Sequence, residues 1–257
     1  MIARAIYLMA LVLLLFSCEE SVDGCLDIRA SNFDVMAVTA CDSCCTFPTG
    51  SLDIDFRFDT LPLSFNNDFL LGEDSIQLRS LELPFSQFSL MRLGETFNFI
   101  DTILRFTPTM RDDYVLIERA NSQTIGRTDF VTQIDSINAR VGLDIDELDM
   151  LRPFIDVSNG NNVNFLISNM YVDSLDIFVQ ARMEVEIADS VRSLEILSIS
   201  NPTIAFADTV NIMQGQNWSI DWDLDVKVLL QGISPNDTNE SMAEKISQNI
   251  AESISPR

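Results

Sequence analysis

Strict alternation of apolar and polar residues is the feature of this sequence that most constrains its fold. Between residues 218 and 228 every second residue is apolar, namely Trp218, Ile220, Trp222, Leu224, Val226 and Val228. The segment 52–58 repeats the pattern with Leu52, Ile54, Phe56 and Phe58. Because neighbouring side chains of a strand point to opposite faces, this spacing predicts two strands that each have one buried face.

The rest of the chain reads as further short strands and few helices. Weaker alternation predicts strands at 76–83, 85–90, 114–118, 134–141, 163–168, 176–187 and 193–198, with turn-forming clusters at 66–68, 158–162 and 234–237. A short helix over 144–151 is predicted to stop before Pro153. A C-terminal helix is predicted from the capping box of Ser241 and Glu244 and from one apolar stripe of Met242, Ile246, Ile250 and Ile254. We therefore predict a mostly β chain, an antiparallel β-sandwich with a short internal helix and a C-terminal helix.

The N-terminal segment is typical of an export signal. Arg4 precedes an apolar run over residues 5–16, which is shorter than the roughly 20 residues that span a bilayer. The run ends in Leu15-Phe16-Ser17-Cys18, which resembles a bacterial lipobox. This resemblance implies a signal peptide at 1–17 that is removed before Cys18 is lipidated. An ordinary secretory peptide or a buried apolar segment is the alternative.

The residues after Cys18 bear on where the protein resides. Glu19 and Glu20 resemble the surface-export signals of Bacteroidetes lipoproteins. We therefore expect an outer-membrane lipoprotein of the cell envelope, surface-exposed or facing the periplasm, with the membrane as a partner through the N-terminal lipid. The chain then divides into the signal peptide 1–17, a lipid-anchored Cys-rich spacer 18–48 and a β-sandwich domain 49–257.

Charge and the absence of histidine exclude several functions. The chain has 16 Lys and Arg against 39 Asp and Glu, a net charge of −23, which repels nucleic acid and anionic lipid. It contains no histidine, which excludes Ser-His-Asp and Cys-His catalysis and histidine-based zinc or copper sites. Carboxylate chemistry and the binding of cations by oxygen ligands stay open.

Four cysteines other than Cys18 are clustered near the N-terminus: Cys25, Cys41, Cys44 and Cys45. In an exported chain an even, clustered set predicts two disulfides. A bond between the adjacent Cys44 and Cys45 is strained, so we expect Cys25 and Cys41 each to pair with one of them. A four-cysteine zinc site is the alternative.

The same segment resembles a short module found in many Bacteroidetes surface proteins. The resemblance is carried by Gly24, Cys25, Asp27, Ala30, Asn32, Phe33, Asp34 and Ala37, and by the closing Ser43 and Cys44. This copy lacks the usual prolines and the acidic pair before the last cysteine, so a cation site at those acids is not carried over. Its residues predict a disulfide-stapled loop that acts as a spacer.

Several blocks of the following domain resemble the MbnP-like family of exported β-sandwich proteins. They are Leu52-Asp53-Ile54-Asp55-Phe56 with Leu61-Pro62-Leu63, Phe85-Ser86-Gln87-Phe88-Ser89-Leu90, Tyr114-Val115-Leu116-Ile117-Glu118, and 134–144 ending in Val141-Gly142-Leu143-Asp144. The resemblance implies a sandwich fold, and some members of the family bind copper through histidine and an oxidised tryptophan. The equivalent region, 151–165, contains neither residue type. The fold is therefore carried over and the copper site is not.

Three sets of residues are candidate sites, each with a simpler structural interpretation. Asp221, Asp223 and Asp225, and separately Asp156, are weak candidates for Ca²⁺, although a solvated strand face explains the first three better. Trp218 and Trp222 suit sugar stacking only if exposed, and core packing is favoured because they share the apolar stripe. Met150, Met170, Met183 and Met213 offer thioethers to Cu(I) but are also ordinary core residues.

These observations predict a non-catalytic lipoprotein with a binding or structural role at the cell surface. No catalytic residues and no cofactor other than weakly bound Ca²⁺ are expected, and the protein or glycan partner is not identified by the sequence. The alternative is a copper-binding envelope protein that serves a redox system. A carboxylate-based glycan hydrolase is a distant third.

Overall fold

The computed structural model describes residues 22–97, 99, 115–118, 122–144, 170–172, 177–207 and 209–257. In chain order its strands are β1 (Asp23–Gly24), β2 (Thr39–Ala40), β3 (Thr49–Phe58), β4 (Leu61–Pro62), β5 (Asp68–Leu71), β6 (Asp74–Arg92), β7 (Glu95–Phe97), β8 (Val115–Ile117), β9 (Ser122–Arg127), β10 (Thr132–Ile134), β11 (Ser136–Val141), β12 (Tyr171–Val172), β13 (Ile177–Phe178), β14 (Ala181–Ile187), β15 (Ser190–Ile196), β16 (Thr203–Phe206), β17 (Val210–Ile212), β18 (Trp218–Asp225) and β19 (Ile254–Pro256). The α-helices are α1 (Val226–Leu229) and α2 (Asn239–Asn249), and 3₁₀ turns occur at Asp42–Cys44 and Ala251–Ser253. The chain is mostly β with a C-terminal helix, as the sequence predicts.

Several predicted features lie outside the described residues. These are the signal peptide 1–17 with Cys18, the strand 163–168, the turn 158–162 and all of the helix 144–151 except its first residue.

The larger sheet is built around the long strand β6. Its main path is β15-β14-β6-β11-β16, and β5, β7 and β8 also pair with β6, always antiparallel. The sequence predicts two strands here, at 76–83 and 85–90, and the structure has one. Pro84 lies between them where the pairing of β6 passes from β14 to β8 and β11, and its carbonyl accepts a hydrogen bond from Gly142 N at 2.7 Å. The chain therefore stays extended through this residue.

The smaller sheet has the order β19-β18-β3-β4, with β9 also paired to β3. Its two central strands, β3 and β18, are the two alternating segments of the sequence, and they are parallel, in register from Gly50 beside Trp218 to Arg57 beside Asp225. This parallel pair is an exception to the antiparallel pairing that the sequence predicts. The strands lie far apart in the chain, so no hairpin turn constrains their relative direction.

The core lies between the two sheets and is filled by the predicted apolar faces. Leu52, Ile54, Ile220, Trp222 and Leu224 are fully buried. Across the core, the Trp222 ring lies 5.8 Å from the ring of Phe85 and 6.4 Å from that of Phe88, measured between centroids. Burying one large aliphatic or aromatic side chain contributes roughly 1.5–3 kcal/mol, so these two strands supply much of the stability of the fold.

The C-terminal part corrects two boundaries. The predicted strand over 218–228 ends at Asp225, because the Asp225 carboxylate accepts a hydrogen bond from Lys227 N at 2.8 Å and caps α1. The N-cap of helix α2 is Thr238, three residues before the predicted N-cap Ser241, because Thr238 Oγ1 accepts a hydrogen bond from Ser241 N at 3.2 Å. Three residues of the predicted stripe, Met242, Ile246 and Ile250, are buried.

Ile254, the fourth residue of that stripe, is not helical. The chain leaves α2 through the 3₁₀ turn at Ala251–Ser253, and Ile254 begins strand β19, where it lies opposite Leu224 of β18. Its side chain is buried in the same core that the stripe was expected to reach.

Candidate functional site

The residues 22–48, which we name the N-terminal module, fold as a small closed loop at the start of the domain. Strands β1 and β2 pair in parallel, and a disulfide joins Cys25 to Cys45, whose Cα atoms are 5.0 Å apart. Asn32 holds the loop closed, since its side chain donates to Cys44 O and accepts from Thr46 N, each at 2.7 Å. Asn32 and Cys25 are among the residues that carry the resemblance to the surface-protein module, and both have structural roles in this loop.

The other two cysteines of the module, Cys41 and Cys44, are thiols in this structure. The second of the two predicted disulfides therefore stays a prediction, and Cys41 with Cys44 is the pair left to form it. Within the part of the chain that the structure describes, no cluster of three or more His, Cys, Asp or Glu is arranged to hold a metal ion.

The two thiols interact. Cys44 ends the 3₁₀ turn that follows Cys41, and its Sγ lies 2.9 Å from Cys41 O. A hydrogen bond from the Cys44 thiol stabilises the Cys41 thiolate, which lowers the pKa of Cys41 and raises the pKa of Cys44. The pair is thus a dithiol in which Cys41 ionises more readily than Cys44. The Cys-x-x-Cys spacing of Cys41 and Cys44 is visible in the sequence. The prediction from the sequence, however, concerns only which of Cys44 and Cys45 pairs with Cys25 and which with Cys41.

The N-terminal module is attached to one end of the sandwich. Arg29 Nη1 lies 3.2 Å from Asp129 Oδ2, which precedes β10, and Gln214 Nε2 donates to Ile28 O at 2.6 Å from the loop after β17. The backbone of Ala30 and Ser31 also closely approaches Gly215. Strands β10 and β17 form an antiparallel ribbon at this end. The module is therefore docked on the domain, at the end where β3 and β18 begin.

The aspartates predicted to share one strand face do so, and a second strand adds to them. Asp221 and Asp223 of β18 lie beside Asp53 and Asp55 of β3, because the two parallel strands are in register. Like charges directly opposite each other destabilise a sheet, so this face needs compensating cations.

Two arginines supply that compensation. Arg57 Nε lies 2.9 Å from Asp223 Oδ1, and Arg257 pairs with Asp55 and lies 3.7 Å from Asp221 Oδ1. The third predicted aspartate, Asp225, is used to cap α1. Because guanidinium groups lie beside three of these carboxylates, the described geometry favours an outer face of ion pairs over a Ca²⁺ site. Asp156, the other candidate, lies outside the described residues.

A polar cleft of about 350 Å³ opens beside this face. Asp221 and Arg257 line it together with Thr209, Asn211, Asn217 and Ser219. Its lining combines neutral hydrogen-bond donors and acceptors with one acidic side chain, Asp221, and one basic side chain, Arg257. This combination suits a small polar group of a partner.

The two tryptophans belong to the core, which confirms the structural interpretation of the sequence. Trp222 is fully buried, and Trp218 is 7% exposed and donates from Nε1 to Thr128 Oγ1 at 3.1 Å. Among the candidate methionines, Met170 and Met183 are buried and Met213 is exposed, while Met150 lies outside the described residues.

Glu82 is a residue that the sequence did not single out. Burial raises the pKa of its carboxyl, Arg182 opposes that rise and Glu118 adds to it. One carboxyl oxygen, Oε2, is buried and accepts no hydrogen bond from the described residues. A raised carboxyl pKa is typical of general acids and also of charge networks in sheets. The spacing of Glu82, Glu118 and Arg182 along the chain does not predict that they are close in space. They come together only when β8 and β14 pair with β6.

None of the helices within the described residues is long and apolar enough to cross a bilayer. No protein-family model, curated protein or solved structure matches this chain.

Proposed function

We propose that the chain is a non-catalytic lipoprotein of the cell envelope, anchored through Cys18, whose β-sandwich domain has a binding or structural role at the cell surface. The observation that carries the proposal is the Cys25–Cys45 disulfide, which closes a loop only seven residues after the lipobox cysteine. Disulfides persist in compartments outside the cytoplasm, so this bond supports the export that the N-terminal sequence predicts.

The docking of the N-terminal module supports an anchoring role. A spacer that is tied to the domain through Arg29 and Gln214 keeps the sandwich within a short length of chain from the proposed lipid on Cys18. A flexible linker, in contrast, would let the domain move freely relative to the membrane.

The ion pairs of this strand face support a non-catalytic role for the aspartates that form them. Catalytic carboxylates need an altered pKa or an open position beside a substrate, whereas Asp55, Asp221 and Asp223 lie beside arginines. The polar cleft next to Asp221 and Arg257 is the surface we assign to a polar group of the protein or glycan partner. Membership of the MbnP-like family and the location at the outer membrane are part of the same proposal.

Labelling with palmitate tests the anchor. Bacterial cells that produce the wild-type chain are expected to incorporate labelled palmitate into it, and Cys18→Ala is expected to abolish the label. Cys44→Ala is the matched control, because it removes a cysteine of the module and keeps Cys18, so its label should equal that of the wild type. Continued labelling of the Cys18→Ala chain would refute the assignment.

A further inference from the structure

The large apolar side chains that are exposed on this protein are concentrated at one end. Fourteen such side chains are exposed among the described residues, and seven of them belong to the N-terminal module: Val22, Leu26, Ile28, Phe33, Val35, Met36 and Val38. Three more, Leu93, Val131 and Met213, lie on loops. The other four, Leu61, Leu70, Val191 and Leu197, are spread over the rest of the domain.

Contacts place those three loop residues at the module end. Thr132 pairs with Ile212 at one end of the β10–β17 ribbon, and Val131 and Met213 are the chain neighbours of these two residues just outside it. Both flank the residues that hold the module, since Asp129 precedes Val131 by two positions and Gln214 follows Met213. Leu93 is the tip of the β6–β7 hairpin, and its backbone N–H donates to Asp135 Oδ2 at 2.8 Å, just after β10. We name these ten side chains, which these contacts place at the module end of the domain, the apolar end.

The exposure of this surface is larger than solubility favours. Val35, Met36 and Val38 are 76%, 75% and 72% exposed, and Leu93 is 86% exposed. Single exposed apolar residues are ordinary on protein surfaces, but a contiguous group marks a site that contacts a protein or a membrane. We therefore expect the apolar end to be covered by a protein or a membrane.

We propose that the apolar end rests on the lipid bilayer, an inference that depends on the proposed lipidation of Cys18. Val22 follows Cys18 by four positions, so a fully extended chain places the lipidated residue at most about 14 Å from the apolar end. A bilayer that holds the acyl chains is thus within reach of these side chains. Apolar side chains at an interface enter roughly 5–10 Å into the boundary between headgroups and acyl chains.

The charges of the module indicate which lipid surface fits. Asp23, Asp27 and Asp34 lie among the exposed apolar residues, and Arg29 is already paired with Asp27 and Asp129. An acidic rim of this kind is repelled by anionic headgroups and tolerates zwitterionic ones. The occupant we assign is therefore a zwitterionic lipid surface. In this orientation β3 and β18 run away from the membrane, and the β14–β15 turn faces away from it.

Fluorescence quenching by lipids tests this contact. The lipidated protein is reconstituted into phosphatidylcholine vesicles whose acyl chains carry bromine, which quenches tryptophan that touches them. Met36→Trp places a probe on the apolar end, and Val191→Trp, at a similarly exposed apolar position beside the β14–β15 turn, is the matched control. Both variants keep the buried Trp218 and Trp222 as a common background. We expect brominated lipid to quench the added tryptophan of Met36→Trp severalfold more strongly than that of Val191→Trp. Equal quenching in the two variants would overturn the proposal.

Two further measurements separate this inference from the proposed function. If the protein fails to float with the vesicles, the lipidation is wrong. The apolar end is then tested on the same chain held by a hexahistidine tag at position 18 on nickel-chelating lipids, with the same expected contrast. Sedimentation of the unlipidated protein addresses a second copy as the occupant. A dimer that Met36→Asp converts to a monomer would assign the apolar end to a partner chain and overturn the bilayer contact.

Discussion

Gly50 of β3 lies against the indole of Trp218 in β18, so closely that a Cβ atom on residue 50 would be 2.3 Å from Cζ2 of the ring. The two residues are paired in the register of the parallel strands. The same ring stacks on Phe99, with 6.0 Å between centroids, and donates its N–H to Thr128. Glycine, the only residue without a Cβ atom, therefore leaves room for this indole at position 50, near the start of the parallel strand pair.

Gly50→Ala is expected to destabilise the protein by roughly 1–3 kcal/mol, because the added methyl group forces a fixed aromatic ring and a paired strand apart. Urea unfolding of the mature domain measures this. Ser219→Ala, at the neighbouring exposed position of β18, is the control and should change the free energy of unfolding by less than about 0.5 kcal/mol. A Gly50→Ala protein as stable as the wild type would show that the strands are not held in this register.

Local patterns in the sequence predicted the strands better than the way they assemble. Alternation identified β3 and β18 and the burial of Trp218 and Trp222, because side-chain direction along a strand depends only on its own residues. The parallel pairing of those two strands is not encoded in either segment alone. The start of α2 was misplaced because Thr238 and Ser241 both suit a cap, and only the contact with Ser241 N decides between them.

The candidate sites were less predictable, because they depend on contacts between distant segments. Arg257 and Arg57 balance the predicted aspartates only after β19 and β3 have paired with β18. The environment of Glu82 likewise combines three strands of the larger sheet. The clustering of cysteines was informative, but the choice of Cys45 as the partner of Cys25 follows from the fold of the loop.

The two thiols of the module should differ in reactivity. In protein reduced mildly enough to keep the Cys25–Cys45 bond, Cys41 is expected to be alkylated by iodoacetamide before Cys44 at pH 7–8. A lowered pKa leaves more of Cys41 as thiolate at a given pH, and the raised pKa of Cys44 has the opposite effect. Peptide mass spectrometry after short labelling times follows both sites. Cys44→Ala removes the hydrogen-bond donor and should slow the labelling of Cys41, whereas faster labelling of Cys44 in the wild type would contradict the assignment.

Asp27 should titrate at unusually low pH. Arg29 donates to its carboxylate from the side chain and from the backbone, which lowers the pKa of Asp27 from its ordinary 3.8 to about 2. The stabilisation that this turn gives the module is therefore fully present above pH 3.8 and is lost as the pH falls towards 2. An NMR titration of the Asp27 carboxyl carbon checks the midpoint. Arg29→Ala should raise the midpoint towards the ordinary value, because the side-chain donors are lost while the backbone N–H of residue 29 stays. An unchanged midpoint in that variant would show that the Arg29 side chain does not cause the low pKa.

Tight copper binding is not expected, although some members of the family that the sequence resembles bind it. The chain has no histidine, and Met170 and Met183 are each only 1% exposed. Oxygen ligands suit harder cations, for which we expect at most weak Ca²⁺ binding, with dissociation constants of roughly 10⁻⁴–10⁻³ M. Titration with Cu(I) against a competing chelator decides the copper question. A dissociation constant below about 10⁻⁹ M, equivalent to about 12 kcal/mol, would contradict this prediction.

The mature protein is proposed to begin at Cys18 and to be held to the membrane by a lipid on that residue. Mass spectrometry of the N-terminal peptide, prepared from the membrane fraction of producing cells, measures this directly. We predict a peptide that starts at Cys18 and carries a diacylglyceryl group on its sulfur, with residues 1–17 absent. A mature N-terminus at any other residue, or an unmodified Cys18 in the membrane-bound protein, would contradict the proposed anchor.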